Sequence, residues 1–89
     1  MGQTVRTSVP GTAGSLQVHR PARSGSEPAP LVVLLHGSGG TGEAMLRSSR
    51  LAEAADRHGF VVIAPDGGIA VGERDRPGFV WNIPGVPTI

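Results

Sequence analysis

A glycine-rich loop at residues 37–42, GSGGTG, combines the residue types in this sequence that are best suited to chemistry. It follows His36 and an uninterrupted apolar run over residues 31–35, and a helical pattern begins after it. Glycines let the backbone pass close to a ligand and direct its N–H groups toward that ligand. Such amides bind either an oxygen that acquires negative charge in a transition state or a dinucleotide pyrophosphate.

The flanking segments predict an α/β arrangement that positions this loop. Partial alternation on either side of Pro10-Gly11 predicts an antiparallel hairpin within residues 4–20, and residues 21–30, rich in Pro, Ser and charge, predict a surface loop. The apolar run at 31–35 has no polar residue, which is typical of a strand buried on both faces of a parallel sheet.

One helix is predicted to follow the glycine loop. Thr41 is its expected N-cap, Glu43 lies in the first turn, and Gly59 is placed just after the last turn, where helices often end. Residues at helical spacing define its expected buried face: Met45, Ser48, Leu51, Ala52 and Ala55. A second apolar run, residues 60–64, completes a βαβ unit over 31–66, and residues 67–89 are expected to be loop and extended tail.

Composition narrows the classes of function. The 89 residues allow one small domain, and a net charge of +1 gives no reason to expect nucleic acid or an anionic membrane as a partner. The chain has no Cys and no Lys, so it has neither a thiolate nor a lysine for phosphate binding or Schiff-base chemistry. We expect no metal and no cofactor. Residues 1–30 show no secretory signal, which predicts a cytoplasmic location.

The loop sequence also matches the dinucleotide fingerprint G-x-G-x-x-G. It lies between a strand and a helix, and Asp66 follows Gly42 by 24 residues, close to the spacing of the acid that binds a ribose. Against this, the fingerprint has no role for His36, and a hairpin and a loop precede the strand. A third alternative is a small, non-enzymatic interaction domain with a hydrolase-like shape.

Three segments resemble the amino-terminal third of the poly(3-hydroxybutyrate) depolymerase and feruloyl esterase group of α/β-hydrolases. They are PLVVLLHGSGGT at residues 30–41, ADRHGFVV at 55–62 and VWN at 80–82. Members of this group often carry Cys at the position of Ser38. The resemblance implies a partial α/β-hydrolase fold over residues 1–89, truncated before the nucleophile, and a small or polymeric ester as substrate. Secreted relatives are compatible with it.

The same resemblance assigns roles to individual residues. Ser38 is expected to be an oxyanion donor through its backbone N–H, supported by Gly37 and Gly39. His36, Trp81 and Asn82 are expected to line the substrate site. The alternatives are that His36 pins the turn and that Trp81 covers the edge of the core.

The sequence contains no G-x-S-x-G motif. In the resembled family the nucleophilic Ser, the acid and the His follow in that order, so all three are expected beyond Ile89, and the 89-residue chain is expected to be inactive alone. Asp66 is therefore predicted to be a turn residue that caps nearby N–H groups, and His19 and His58 are predicted to be solvated or capping residues.

Overall fold

The computed structural model describes residues 2–8, 15–22 and 28–85. These residues form a small mixed α/β fold with two sheets and two helices. In chain order the elements are β1 (Gln3–Ser8), β2 (Ser15–Arg20), β3 (Leu31–Val33), α1 (Gly42–Ser49), α2 (Leu51–His58), β4 (Val61–Pro65), β5 (Ile69–Glu73) and β6 (Arg76–Val80).

The larger sheet has the strand order β1-β2-β4-β3. Strands β1 and β2 pair antiparallel, which confirms the predicted hairpin strands, while its predicted turn at residues 9–14 lies outside the described residues. Strands β3 and β4 pair parallel and are joined through the helices, as the βαβ prediction requires. This places the glycine loop between the third strand and the first helix.

The expectation that residues 31–35 form a doubly buried strand is wrong. Strand β3 is short and lies at the edge of the sheet, with Leu31 59%, Val33 53% and Leu35 57% exposed. The helices contact β2 and β4 on one face of the sheet, so no helix covers the alternate residues of β3. An uninterrupted apolar run therefore does not by itself establish burial on both faces.

The single predicted helix is interrupted at Arg50. This residue adopts the left-handed conformation with φ 58°, and separate helices lie on either side. The Ser49 hydroxyl accepts a hydrogen bond from the Leu51 N–H at 3.2 Å and so caps the start of α2. Serine competes with helical backbone pairing in this way, which accounts for the break. Gly59 ends α2 with φ 77°, as predicted.

The core lies between the helices and one face of the sheet. Leu46, Ala55, Val62 and Ala64 form it, with Leu34, Leu51, Ala52 and Phe60 packed around them. Leu46 is buried where the periodicity predicted Met45, and Ser48 is exposed. The predicted face assumed an uninterrupted turn of 100° per residue, whereas the break at Arg50 changes the orientation of α2 relative to α1.

The second sheet is a hairpin within residues predicted to be loop. Strands β5 and β6 pair antiparallel, with Ile69 opposite Val80 and Glu73 opposite Arg76. The weak alternation of Ile69 and Val71 and the Arg74-Asp75 turn are the only sequence signals for it. The proline and glycines of this segment had favoured loop.

Within residues 2–8, 15–22 and 28–85, the opposite face of the larger sheet carries apolar residues and no helix. Val5, Val18 and Ile63 follow one another across the paired strands, and Val33 is the partner of Ile63 on β3. We call this row, together with Leu31 and Leu35, the open face. Its exposed apolar side chains are consistent with a surface that contacts another polypeptide.

His19 is buried between the hairpin and α2, which corrects the prediction that it is solvated. Its Nδ1 lies 2.7 Å from the Thr4 hydroxyl, and its Nε2 lies 2.9 Å from Asp56 Oδ1. The hydrogen bond from His19 lowers the pKa of Asp56, burial opposes it with a smaller effect, and the Gly2 N–H lowers the pKa further by less than burial raises it. These contacts connect β1, β2 and α2.

This lowered pKa predicts an acid-dependent contribution to stability. Because Asp56 has a lower pKa folded than unfolded, its contribution is complete above the unfolded value of about 3.9 and is lost as pH falls through the folded value. We expect the melting temperature of the wild-type chain to fall more steeply below about pH 4 than that of Asp56→Asn. Thermal circular dichroism from neutral pH to pH 2 measures this, and parallel curves for the two proteins would contradict it.

Candidate functional site

The glycine loop enters α1 through two capping side chains. The Thr41 hydroxyl accepts a hydrogen bond from the Ala44 N–H at 3.1 Å, which confirms the predicted N-cap. Asp66, at the end of β4, accepts a hydrogen bond from the Gly42 N–H at 2.8 Å. The helix N-terminus is thereby paired within the chain, and the carboxylate lies where the helix dipole favours negative charge.

Strand β6 holds the loop from the other side. The Gly39 N–H donates to the Phe79 carbonyl at 2.9 Å, and the Phe79 N–H donates to the Gly40 carbonyl at 2.9 Å. Gly78 packs so closely on the Gly39 carbonyl that a Cβ at residue 78 would collide with it. The loop conformation therefore depends on a hairpin that the sequence did not predict.

His36 fixes the start of the loop. Its ring is buried, and its Nε2 accepts a hydrogen bond from the Gly67 N–H at 2.9 Å. The proton must then lie on Nδ1, which donates to the Gly37 carbonyl at 2.6 Å. With both ring nitrogens engaged, His36 has the pinning role considered in the sequence and has no nitrogen free to act as a base.

Trp81 supports the same turn. Its Nε1–H donates to the His36 carbonyl at 2.9 Å, and the two rings stack with centroids 4.7 Å apart. The indole is half-buried and Asn82 is exposed. Trp81, directly after β6, therefore braces His36, and its contacts are those of a supporting side chain more than of a free aromatic wall.

The loop amides differ in what they are free to bind. The Gly39 N–H donates to the Phe79 carbonyl, so it is not available to a ligand. Gly40 donates to the Gly37 carbonyl at 3.0 Å. Among the described residues, the Ser38 N–H has no hydrogen-bond partner, and Ser38 is exposed.

Among Gly37, Gly39 and Gly40, only Gly39 has a positive φ. Gly39 has φ 84°, whereas Gly37 is exposed, lies outside the left-handed region and has open space where a Cβ would be. Gly37 contributes its carbonyl, which accepts from His36 and Gly40. The requirement for glycine is therefore conformational at Gly39 and not at Gly37.

A shallow groove lies beside the free amide. Its volume is about 360 Å³, and it runs from the loop along the first two turns of α1, past Ala44, Met45 and Ser48. An N–H without a partner at the end of a partly apolar groove is suited to bind a carbonyl oxygen whose substituent lies along the groove.

Asp66 has the capping role predicted for it. Besides the Gly42 N–H, its carboxylate accepts hydrogen bonds from the Ser15 N–H at 3.0 Å and the Ser15 hydroxyl at 3.2 Å. One side chain thus joins β2, β4 and α1 next to the loop.

Replacing Asp66 with alanine leaves these donors without their partner. Because unpaired, partly buried donors cost about 1–3 kcal/mol each, we expect a loss of about 2–3 kcal/mol in unfolding free energy. Urea denaturation measures it. Asp75→Ala, which removes an exposed carboxylate from the β5–β6 turn, is the matched control and is expected to change stability by less than about 0.5 kcal/mol. Equal effects of the two substitutions would show that the capping contacts contribute little.

The described part of the chain contains no cluster of three or more His, Cys, Asp or Glu side chains placed to hold a metal ion. Within the same residues, neither helix is long and apolar enough to cross a membrane.

Comparison with known proteins identifies no family. No protein-family model matches the sequence, and no curated protein matches it significantly. The residues and their geometry therefore carry the assignment of a function.

Proposed function

We propose that this chain supplies the oxyanion loop of a serine carboxylic-ester hydrolase of the α/β-hydrolase class, similar to polyhydroxybutyrate depolymerases and feruloyl esterases. The observation that carries the proposal is the exposed Ser38 N–H, which is without a partner among the described residues. It lies in the loop between the third strand and the first helix, where α/β-hydrolases place one oxyanion donor.

In such a reaction a serine attacks the ester carbonyl, and the carbonyl oxygen becomes negatively charged. The Ser38 N–H donates a hydrogen bond to that oxygen, and a second donor comes from the residue after the nucleophile. Loss of the alcohol gives an acyl-enzyme, which water then hydrolyses. The nucleophile, acid and base are supplied outside residues 1–89, and the groove along α1 accommodates one substituent of the ester.

The residues around Ser38 contribute to the proposed reaction by holding its N–H in a fixed orientation. An oxyanion donor lowers the barrier only when it is already oriented, so that no energy is spent on moving it during the reaction. His36 holds the Gly37 carbonyl, Trp81 holds His36, and Phe79 pairs with the adjacent glycines Gly39 and Gly40. These contacts leave Ser38 at the exposed tip of a fixed turn.

The dinucleotide alternative is less consistent with these contacts. A pyrophosphate in the Rossmann arrangement binds the N–H groups at the start of the helix. Here the Asp66 carboxylate already accepts from the Gly42 N–H at 2.8 Å, and its negative charge would repel a phosphate. The Gly39 N–H is also paired, with Phe79.

The open face favours the interaction-domain alternative as a second candidate. Leu31 and Val33 on β3, Leu35 just after it and Val5 on β1 are exposed and present apolar surface without catalytic groups. Under this alternative the 89-residue chain acts without a catalytic serine, unfolds cooperatively on heating, and is not followed in its gene by a sequence that encodes G-x-S-x-G.

Verified genomic sequence on the 3′ side of codon 89 separates the candidates. We expect the frame, or a neighbouring frame after a sequencing error, to encode G-x-S-x-G followed by an Asp and a His. The protein encoded by the longer frame is then expected to hydrolyse short acyl esters of p-nitrophenol. A confirmed stop directly after codon 89, with no such motifs in any downstream frame, would overturn the proposal and leave the interaction domain.

A further inference from the structure

A second group of residues, away from the glycine loop, has the arrangement of a hydroxyl–imidazole–carboxylate relay. Thr4 on β1 lies directly opposite His19 on β2, and Asp56 approaches His19 from α2. The Thr4 Oγ1 to His19 Nδ1 distance is 2.7 Å, and the His19 Nε2 to Asp56 Oδ1 distance is 2.9 Å. Both distances lie within the hydrogen-bond range seen between a nucleophile, its base and the residue that orients the base.

The carboxylate sets the direction of both hydrogen bonds. Ionised Asp56 only accepts, so Nε2 of His19 carries the proton that it donates to Asp56. In the neutral imidazole Nδ1 then has a free lone pair and accepts from the Thr4 hydroxyl. This is the protonation pattern in which a histidine removes a proton from a hydroxyl as that hydroxyl attacks.

The three residues of the relay differ in exposure, and a nucleophile must be accessible to substrate while its base is protected from water. Thr4 is exposed, the His19 side chain is only 5% exposed, and the Asp56 side chain is 29% exposed. The base is therefore shielded by the protein, and Thr4 lies at the exposed end of the relay. The Gly2 N–H is a second donor to Asp56 and helps to fix the carboxylate.

A groove of about 350 Å³ opens beside Thr4, between the hairpin and the helices. Hydrogen-bond donors line it, including the Gln17 amide and the guanidinium groups of Arg47 and Arg50. Each guanidinium is close to a glutamate, Arg47 to Glu43 at 3.9 Å and Arg50 to Glu53 at 2.9 Å. The groove thus offers donors to a carbonyl oxygen, and its balanced charge favours a small uncharged ester over an anion.

We propose that Thr4 is a nucleophile, activated by His19 and oriented through Asp56, that accepts acyl groups from small uncharged activated esters. Thr4 Oγ1 forms a bond to the carbonyl carbon while its proton passes to His19 Nδ1. The ester C–O bond breaks, and the leaving alcohol takes that proton. Water then attacks the acyl-threonine, with His19 accepting its proton, and releases the carboxylic acid and the free Thr4 hydroxyl. The sum is one ester and one water converted to one acid and one alcohol.

This site does not depend on the proposed oxyanion loop. All three of its residues lie within the 89-residue chain, whereas the serine of the proposed hydrolase does not. A test on the 89-residue chain is therefore independent of the serine of the proposed hydrolase.

A fluorophosphonate probe gives a direct readout, because its adduct is not turned over. Thr4 Oγ1 forms the P–O bond, fluoride leaves, and the proton passes to His19. We expect peptide mass spectrometry of the wild-type chain to find the adduct on Thr4. The same chain is expected to release p-nitrophenol from p-nitrophenyl acetate.

Three variants separate a nucleophile from a structural hydrogen bond. Thr4→Val is expected to lose the adduct, whereas Thr4→Ser keeps it. Asp56→Asn is expected to slow labelling by about 100-fold or more, because the base is no longer held in the required tautomer. Thr7→Val is the matched control, since Thr7 is an exposed threonine on the same strand that faces Leu16 instead of a histidine.

Absence of any adduct on residue 4 in the wild-type chain would overturn the proposal. Labelling at an unchanged rate in folded Asp56→Asn, checked by circular dichroism, would also overturn it. Where Asp56→Asn does not fold, the comparison of Thr4→Ser with Thr4→Val decides the question: a serine adduct at residue 4 supports the proposal, and no adduct in Thr4→Ser overturns it.

Discussion

Replacing Gly42 with alanine is expected to destabilise the chain by about 3 kcal/mol, which lowers the melting temperature by more than about 10 °C in a domain of this size. Gly42 is the first residue of α1 and is buried against β4. A Cβ there would collide with the Ala64 carbonyl and would lie 3.1 Å from the Pro65 carbonyl. These obstacles are backbone atoms of a paired strand, so they do not move aside as a flexible side chain would.

The sign of this effect is informative. Helix propensity alone predicts that alanine stabilises a helical position by up to about 1 kcal/mol relative to glycine. Gly68→Ala is the control, because Gly68 is exposed, has open space around it and does not have a positive φ. It is expected to change stability by less than about 1 kcal/mol. Stabilisation by Gly42→Ala in urea denaturation would show that α1 does not pack on β4 at this distance.

Replacing Ser38 with proline is expected to lower kcat by about 10²–10³ in the proposed ester hydrolase that includes this chain. Proline has no N–H, so it removes the donor assigned to the oxyanion, which has no partner among the described residues. Ser38 does not have a positive φ, and its N–H supports no internal contact in the described part of the chain, so the ring does not break a hydrogen bond of the loop.

The relevant comparison is between Ser38→Pro and Ser38→Ala. Both substitutions remove the hydroxyl, and only proline removes the N–H, so the ratio of their kcat values isolates the backbone donor. The loss is expected in kcat and not in KM, because the oxygen becomes charged only in the transition state. A kcat ratio near unity, within about threefold, would show that the Ser38 amide does not stabilise the oxyanion.

Local sequence predicts those parts of the fold that depend on interactions between residues close together in the chain. Thr41 and Gly59 mark the beginning and end of the helical region because capping depends on a few neighbouring residues. The break at Arg50 was missed because a pair of serines inside an otherwise helical pattern gives no strong signal. The exposure of β3 was missed because an apolar run does not reveal which elements cover it.

The sequence likewise predicts only those features of the candidate site that depend on neighbouring residues. The glycine loop and the capping role of Asp66 follow from residue types and spacing along a short stretch of sequence. The roles of Gly39 and Trp81 do not, because both depend on β6, which reaches the loop from about 40 residues along the chain. Thr4, His19 and Asp56 come together only through strand register and helix packing, and no motif in the sequence indicates them.

The position of β3 at the sheet edge has a consequence for how this protein behaves at high concentration. Leu34 N–H bonds to β4, so by alternation the N–H groups of Leu31, Val33 and Leu35 point away from the sheet. Such a row of unpaired donors can pair with a strand of another molecule, and burial of the apolar side chains beside it stabilises that pairing. Pro30 stands directly before this segment, and its carbonyl accepts a hydrogen bond from the Val61 N–H of β4 at 2.9 Å, so the missing N–H of Pro30 lies on the paired side and does not interrupt the outward row. We expect fibrillar growth at high concentration to begin at residues 31–35.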